Sequence, residues 1–512
     1  MRTDPRQLQR EAFDVVVVGA GIQGAAIARD AAVRGLRVLL LDARDVAAGT
    51  SSRSSRLVHG GLRYLRHGHF ALVREALQER ERLLRLAPHL VRPLPMLTPF
   101  FDDSGLPPWK LRLGTWLYSR LARGSTLPRP RRLTASESLA AFPGLRSRGL
   151  RGGLVFYDAR TQDARLTLAN VRDAVAAGAV FCNHARVVAC DDAGLRVRVG
   201  ADEVSVRCRD VFNAAGPAVD PVRRSLGVDG DELVRTTRGS YLVLPPRDGE
   251  LALCAFLPDE RVQFVIPHAH GTLCGTNDVD DPMTGDEGPP PREDLDYLER
   301  ALAHLLEPPP ARADVSFAYA GWRALPARSG PAGALNREGF VVAERVACGT
   351  LHTVVGGKLT THRAFAERAV DAALPGAQAS ATRSRPLPGG TGPREVDDPL
   401  WWRHGGLLPE LRALCRGEAA LAAPLCEHRP FLAAELVYAV RSEGAGTLAD
   451  ALLRRLVDVR GPCLEQACLE RALEVFARAG GEVQDAGAAV AEVLDEARAI
   501  TGDLRSWREA SA

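Results

Sequence analysis

Asp14-Val15-Val16-Val17-Val18-Gly19-Ala20-Gly21-Ile22-Gln23-Gly24 decides the fold of this chain. A run of valines enters a Gly-x-Gly-x-x-Gly turn. A helical pattern over 25–34 follows, and then a second apolar run over 36–41 that ends on Asp42. This is a strand–turn–helix–strand unit with an acid at the end of its second strand. Gly19 permits the tight turn, Gly21 lets the backbone approach a pyrophosphate, and Gly24 lets helix and strand pack closely. The free N–H groups of the helix N-terminus attract phosphate. Asp42 can accept hydrogen bonds from a ribose diol. The unit therefore reads as dinucleotide-binding. Its place near residue 1, with no second Gly-x-Gly-x-x-Gly later, favours FAD over NAD.

Just downstream lies a small, hydroxyl-rich loop, Gly49-Thr50-Ser51-Ser52-Arg53-Ser54-Ser55, followed by Leu57 and His59-Gly60-Gly61-Leu62-Arg63-Tyr64. The hydroxyls can bond phosphates and flavin edges, and the glycine pair exposes bare backbone to a flat ring. Thr50, Ser51, Ser52, Ser55, Leu57, His59, Gly60 and Gly61 are thus expected at the cofactor.

From Thr50 to Leu65 the chain resembles the FAD-dependent glycerol-3-phosphate dehydrogenase family, a group of DAO-type flavoprotein oxidoreductases. The resemblance continues at Glu75-Ala76-Leu77-Gln78-Glu79-Arg80-Glu81, Ala87-Pro88-His89-Leu90, Asp163-Ala164-Arg165-Leu166 and Asn213-Ala214-Ala215-Gly216-Pro217. It runs on through Phe264-Val265-Ile266-Pro267, Gly275-Thr276-Asn277-Asp278 and Gly356-Gly357-Lys358-Leu359-Thr360-Thr361. The segment 435–455 resembles the helical C-terminal domain of the same family. The resemblance implies an α/β FAD-binding domain (Rossmann-like and split), an α+β mixed-sheet substrate domain and a helical C-terminal domain. It also implies oxidation of sn-glycerol 3-phosphate to dihydroxyacetone phosphate by hydride transfer from C2 to the flavin, with electrons passed to quinone. Ile22, Gln23, Val187, Ala215, Gly216, Gly357, Lys358, Leu359 and Thr360 are implied at the cofactor.

Arg63, Tyr64, Tyr241, Arg323 and Lys358 are the expected catalytic set. Arginine suits a phosphate because its planar fork donates paired hydrogen bonds. Lys358 is one of only two lysines among 66 basic Lys and Arg residues. Arg56 and Arg238 stand where relatives commonly carry lysine, so retention of Lys358 suggests work that arginine cannot do. Tyr241 stands where relatives often have histidine, and a phenol is the poorer base near neutrality. Trp322, Ala324, His268 and His362 also depart from the family pattern. These changes are expected around the pocket, where they bear on the substrate.

At 512 residues, with 46% hydrophobic and 25% charged residues, the chain is long enough for two or three globular domains. A net charge of +3 does not point to nucleic acid. No apolar run is long enough to span a bilayer, and the N-terminus does not read as a secretory signal. The ten cysteines include no Cys-x-x-Cys, so they read as reduced thiols and no metal site is expected. The expected organisation has a discontinuous FAD-binding domain (12–90, 151–235 and 336–375). A substrate or cap domain takes 91–150 and 236–335. A linker over 376–394 leads to the helical C-terminal domain, 395–512.

Between Ser104 and Ser136 there are seven basic residues and no acidic one. Trp109, Leu113, Trp116, Leu117 and Leu121 share a helical face, as in a helix lying on an anionic bilayer; a core-packed helix beside an arginine-rich loop fits equally. A cytoplasmic protein, peripheral on the inner membrane, and a homodimer are the matching expectations. Two other readings stay open. One is an oxidase of the same fold using O2 on glycerol 3-phosphate, another hydroxy acid or an amine. The other is a flavin-binding module without catalysis.

Overall fold

The computed structural model describes residues 8–61, 68–105, 107–121, 124–283, 287–328 and 338–510. Arg63 and Tyr64 lie outside the described residues.

The opening valines form strand Ala12–Val18, buried on both faces at the centre of an eight-stranded sheet. Strands Val38–Leu41 and Asp202–Asn213 flank it, both parallel. Beyond them lie Val180–Cys182 on one side and the hairpin Gly349–Val355/Phe340–Val346 on the other. Such continuous apolar strands suit a parallel sheet covered on both faces. Helices Ile22–Val33, Asp163–Ala176 and His362–Ala373 cover one face, with Ala25, Ile27, Leu168 and Val370 in a shared core. Strands Ala185–Asp191 and Gly194–Val199 join the long strand Asp202–Asn213 in an antiparallel extension. The alternation of Leu195-Arg196-Val197-Arg198-Val199 turns Leu195, Val197 and Val199 inward in strand Gly194–Val199.

A second, ten-stranded sheet is mostly antiparallel. Its longest ladder pairs Val234–Leu244 with Phe317–Pro326, in a register that sets Gly239 opposite Gly321 and Tyr241 opposite Tyr319. Strand Leu150–Arg160 belongs here, paired with Arg92–Phe101. Residues 151–160, expected in the cofactor domain, thus pair with strands of the second sheet. The proline-rich segment near 91 is also a ten-residue strand, Arg92–Phe101. Pro93, Pro95 and Pro99 occupy alternate positions, so their missing N–H groups fall on one edge of the strand. Among the described residues, the edge away from Leu150–Arg160 pairs only at Met96 and Leu97, with Ala252 and Leu253, which leaves room for such positions.

The last region is helical around its own core, with helices Ala433–Glu443, Gln466–Arg478 and Ala486–Thr501. It is bolted to the cofactor domain by buried charge. Asp45, fully buried, accepts from Arg454 Nε at 2.8 Å, Arg455 Nη2 at 3.0 Å and Asn183 Nδ2 at 3.0 Å. Glu443 pairs with Arg165 at 2.7 Å and Arg172 at 3.2 Å. The arginines hold the Glu443 carboxyl down at about 2 against the opposing effect of burial. Near the chain end, Leu504 and Trp507 pack into the core of the second sheet. The segment expected as a linker is likewise fastened down. Arg385 pairs with Asp173 at 2.9 Å, and its carbonyl accepts from Arg29 at 2.7 Å.

Candidate active site

Two clefts meet end to end where the two sheets adjoin, sharing Gly21, Thr50, Ser51, Ala214, Gly216 and Pro217. The first is lined by Gly19, Gly21, Asp42, Val187, Ala215 and Gly216. Gly19 has φ +103°, a region that favours glycine. A β-carbon at Gly24 would run into the Gly19 carbonyl, so this glycine serves packing. Asp42 Oδ2 accepts the Ala20 N–H at 2.7 Å and Oδ1 accepts the Arg44 N–H at 2.8 Å. Burial nonetheless pushes the Asp42 carboxyl upward. At the junction Ser51 Oγ accepts the Ile22 N–H at 2.9 Å, which ties the hydroxyl loop to the helix N-terminus.

The second cleft gathers most of the remaining expected residues: Ile22, Gln23, Ser55, Leu57, His59, Gly61, Tyr241, Arg323, Lys358, Leu359 and Thr360. Backbone shapes its walls. Gly356 and Gly357 have φ of +72° and +100°, and a β-carbon at Gly357 would come within 2.5 Å of Gln23 Nε2. Gln23 Nε2 donates to the Lys358 carbonyl at 3.3 Å, while its buried Oε1 has no partner among the described residues. The His59 N–H donates to Thr360 Oγ1 at 3.1 Å, joining the two glycine-rich loops.

In the same cleft Arg323 Nη1 donates to Asp278 Oδ1 at 3.1 Å. Its Nη2 lies 3.2 Å from Thr276 Oγ1 and 3.4 Å from the Tyr241 hydroxyl. The ladder explains this meeting. Tyr241 and Arg323 stand on paired strands, two residues either side of the Gly239–Gly321 pair, and the Arg323 side chain fills the space left at Gly239. Tyr241 stacks on Tyr319 at 5.0 Å, and the Tyr319 hydroxyl donates to the Ser54 carbonyl at 2.8 Å.

Some expected residues play other parts. Ser52 Oγ donates to the Gly49 carbonyl at 3.2 Å, closing the loop rather than facing a cleft. Gly60 lies beneath the cleft surface, where a β-carbon would collide with Tyr118 and Leu77. Of the departures from the family pattern, Tyr241, Trp322 and Ala324 do line the second cleft, but His268 and His362 do not. Burial holds His362 down at about 4, so it is neutral near pH 7. Its ring bridges the Leu359 carbonyl at 2.6 Å and Asn170 Nδ2 at 3.3 Å, a packing role. Arg56 and Arg238 also serve structure. Arg238 pairs with Asp294 at 2.7 Å and with Asp281, and Arg56 lies 3.8 Å from Asp163.

Sequence reasoning missed Thr276, Asp278 and the floor of the cleft. There the Gly60 N–H donates to the Tyr118 hydroxyl at 2.9 Å. That hydroxyl lies 2.7 Å from Asp158 Oδ1, which also takes Arg80 Nη1 at 2.6 Å. Thr276 and Asp278 sit inside a quoted motif and could have been found there. Tyr118 and Asp158 come from segments with no motif.

The comparisons with known proteins agree with this geometry. Residues 14–363 match the family described as FAD dependent oxidoreductase, and 354–481 match the C-terminal domain of alpha-glycerophosphate oxidase. The chain is 37% identical over 501 residues to a glycerol-3-phosphate dehydrogenase of Mycobacterium leprae, covering 91% of this chain and 85% of that one.

The chain belongs to the FAD-dependent glycerol-3-phosphate dehydrogenase family.

Among solved structures, the glycerol-3-phosphate dehydrogenase from Bacillus halodurans complexed with FAD superposes with a TM-score of 0.76 at 25% identity, covering 96% of each chain. A D-erythritol 1-phosphate dehydrogenase of Brucella abortus is 34% identical, over 74% of this chain and 78% of that one. The cofactor is FAD, as the matched family and the Bacillus halodurans structure have it, and the residues present fit it. The two clefts join at Gly21, Thr50, Ser51 and Gly216, so one continuous groove runs past the glycine turn and the hydroxyl loop. The glycines at 19, 21 and 357 keep side chains out of its path, and Gln23 Oε1 is a buried acceptor still to be satisfied.

Proposed function

We propose that this protein oxidises sn-glycerol 3-phosphate to dihydroxyacetone phosphate and passes the electrons to quinone. Bound FAD supplies the two-electron acceptor for the hydride leaving C2. The observation that carries the reading is Arg323, held by Asp278, Thr276 and Tyr241 in the cleft that the glycine-rich loops also line. A guanidinium fixed on one side keeps its remaining N–H groups aimed at a phosphate, which it binds through paired hydrogen bonds. Tyr241 and Tyr319, stacked and buried, make the apolar wall that excludes water beside it. His59 is the one imidazole among the described lining residues, and imidazole suits removal of the C2 hydroxyl proton near neutrality. Lys358 supplies a compact cation on the opposite loop, placed to hydrogen-bond a substrate or flavin oxygen.

Delivery to quinone is supported by helix Pro108–Leu121. Trp109 and Trp116 are 61% and 58% exposed, seven residues apart on one face, with Lys110 and Arg120 beside them. The same helix buries Tyr118 against Gly60 beneath the cleft. Exposed indoles beside cations suit an anionic membrane surface. Among the described residues no helix is long and apolar enough to cross a membrane.

The test is anaerobic addition of sn-glycerol 3-phosphate to the yellow protein. Prompt bleaching supports the proposal, and re-oxidation by a soluble quinone without peroxide supports the acceptor. The similarity to a D-erythritol 1-phosphate dehydrogenase favours one second reading, a longer polyol phosphate, with Trp322 and Ala324 on the cleft wall as the departures that would bear on it. Bleaching by erythritol 1-phosphate with no response to glycerol 3-phosphate would replace the first reading with the second.

A further inference from the structure

The loop that leads into helix Ala433–Glu443 is closed by a bridge between Pro424 and Leu432, with the Leu425 N–H donating to the Phe431 carbonyl at 2.7 Å. Cys426 and His428 stand on this loop. Cys463 follows the turn at Gly461-Pro462, and Cys468 lies in the first turn of helix Gln466–Arg478. The Sγ atoms of Cys426, Cys463 and Cys468 and a ring nitrogen of His428 all lie within 4.8 Å of one another. His428 Nδ1 is 3.6 Å from Cys463 Sγ and 3.4 Å from Cys468 Sγ.

We propose that these four side chains form a structural zinc site in the helical C-terminal domain. Tetrahedral zinc has bonds of about 2.3 Å to sulfur and about 2.0 Å to nitrogen, which sets sulfur–nitrogen separations near ~3.5 Å and sulfur–sulfur separations near ~3.8 Å. The two sulfur–nitrogen distances fall on either side of that value. Three thiolates and an imidazole are a ligand set that selects zinc over magnesium or calcium, and four protein ligands leave no open position for catalysis. A four-iron cluster would spread its cysteines farther apart than a single ion does. A disulfide would use two of the sulfurs and give His428 no reason to face the third.

The surroundings support one ion shared by two chain segments. Arg429, between the two halves, donates from Nε to the Gly461 carbonyl at 2.8 Å and from Nη2 to the Pro462 carbonyl at 3.1 Å. It thereby orients the Cys463 turn and brings positive charge next to a site whose three thiolates exceed the ion's charge by one. Buried Leu425, Phe431 and Leu469 back the cluster. On binding, the three thiols give up their protons to solvent and no electrons move. None of the four residues lines the FAD clefts, so the ion would staple the loop over 424–432 to helix Gln466–Arg478 without touching catalysis. The spacing, Cys-x-His and, much later, Cys-x-x-x-x-Cys, explains why the sequence expectation of scattered thiols overlooked it.

The experiment is metal analysis of the full-length FAD-loaded protein, purified under reducing conditions without metal-affinity resin or chelator. One zinc per chain is expected, with an X-ray absorption shell of three sulfurs and one nitrogen. Replacement by cobalt should give the intense visible bands of a tetrahedral thiolate site. The double variant Cys463→Ser/Cys468→Ser should lose the metal and keep its flavin. Substoichiometric zinc in the reduced protein overturns the proposal, as does an oxygen- and nitrogen-only shell or zinc fully retained by the double variant. Should the variant fail to fold, the absorption shell and the cobalt spectrum of the unmodified protein decide the matter alone.

Discussion

The Tyr118 hydroxyl accepts the backbone N–H of Gly60 at 2.9 Å. A tyrosine on a helix with an exposed outer face thus fixes the backbone on which the cofactor loop rests, and Asp158 and Arg80 fix the tyrosine in turn. Tyr118→Phe removes one buried acceptor and leaves Asp158 short of a donor. A loss of ~1–2 kcal/mol is expected, about tenfold in FAD affinity. Release of fluorescent FAD on dilution measures it; unchanged retention would show that Gly60 does not depend on the tyrosine.

Arg323 is expected to set substrate affinity. Arg323→Lys keeps a charge but loses the planar fork. Loss of charged hydrogen bonds worth ~1.5–3 kcal/mol predicts a rise in KM of roughly 10- to 100-fold with the flavin still bound. A KM within twofold of the parent's would remove Arg323 from the substrate site.

His59→Asn tests the proton acceptor. General-base removal costs on the order of 100-fold or more in rate. The expected signature is slow bleaching by substrate at neutral pH that recovers as pH rises. Normal bleaching kinetics would move the role to another group, with Tyr241 or Lys358 next in line.

Stability should fall as the solution is acidified, in two stages. Burial holds His89 at about 3 and His362 at about 4, whereas an unfolded histidine titrates near ~6.5. Between those values the unfolded chain binds protons that the folded chain refuses, so stability rises with pH and is lost as pH falls below ~6.5. At pH 5 each histidine costs about 2 kcal/mol relative to pH 7. Glu435 and Glu443, held at about 2 by their arginine partners, extend the loss below the unfolded value of ~4.3. Urea titrations at pH 7 and pH 5 check the first stage. His362→Phe should flatten it.

Trp109→Ala/Trp116→Ala should weaken pelleting with anionic vesicles while leaving FAD content unchanged, and salt should release the parent protein. Binding that ignores salt, or that survives the double change, would point away from this face.

The cofactor half of the site was legible because its chemistry is local. Gly19, Gly21 and Gly24 act through the turn that contains them, and Asp42 closes the strand that follows, so their spacing is their mechanism. Tyr241 and Arg323 needed the resemblance, since what joins them is strand register across about eighty residues. The prolines in Arg92–Phe101 concealed a strand because their effect depends on which edge is paired. Asp158 was hidden for a related reason. It stands on strand Leu150–Arg160, which was expected in the cofactor domain and instead supports the cleft from the second sheet. Tertiary geometry likewise decided which departures matter, separating Trp322 and Ala324 on the cleft wall from His268 and His362 away from it.

Asp45 sits three residues beyond the acid expected at the ribose, and its partners Arg454 and Arg455 lie some four hundred residues later. Removing the helical region would take both cations from this carboxylate. Breaking such a pair from one side costs ~3–5 kcal/mol, a large share of a domain's whole stability. The two regions should therefore melt in one calorimetric transition. The same link makes position 45 the place where a version of the cofactor domain cut free of its helical region would first need a neutral residue, so Asp45→Asn should soften the loss on truncation.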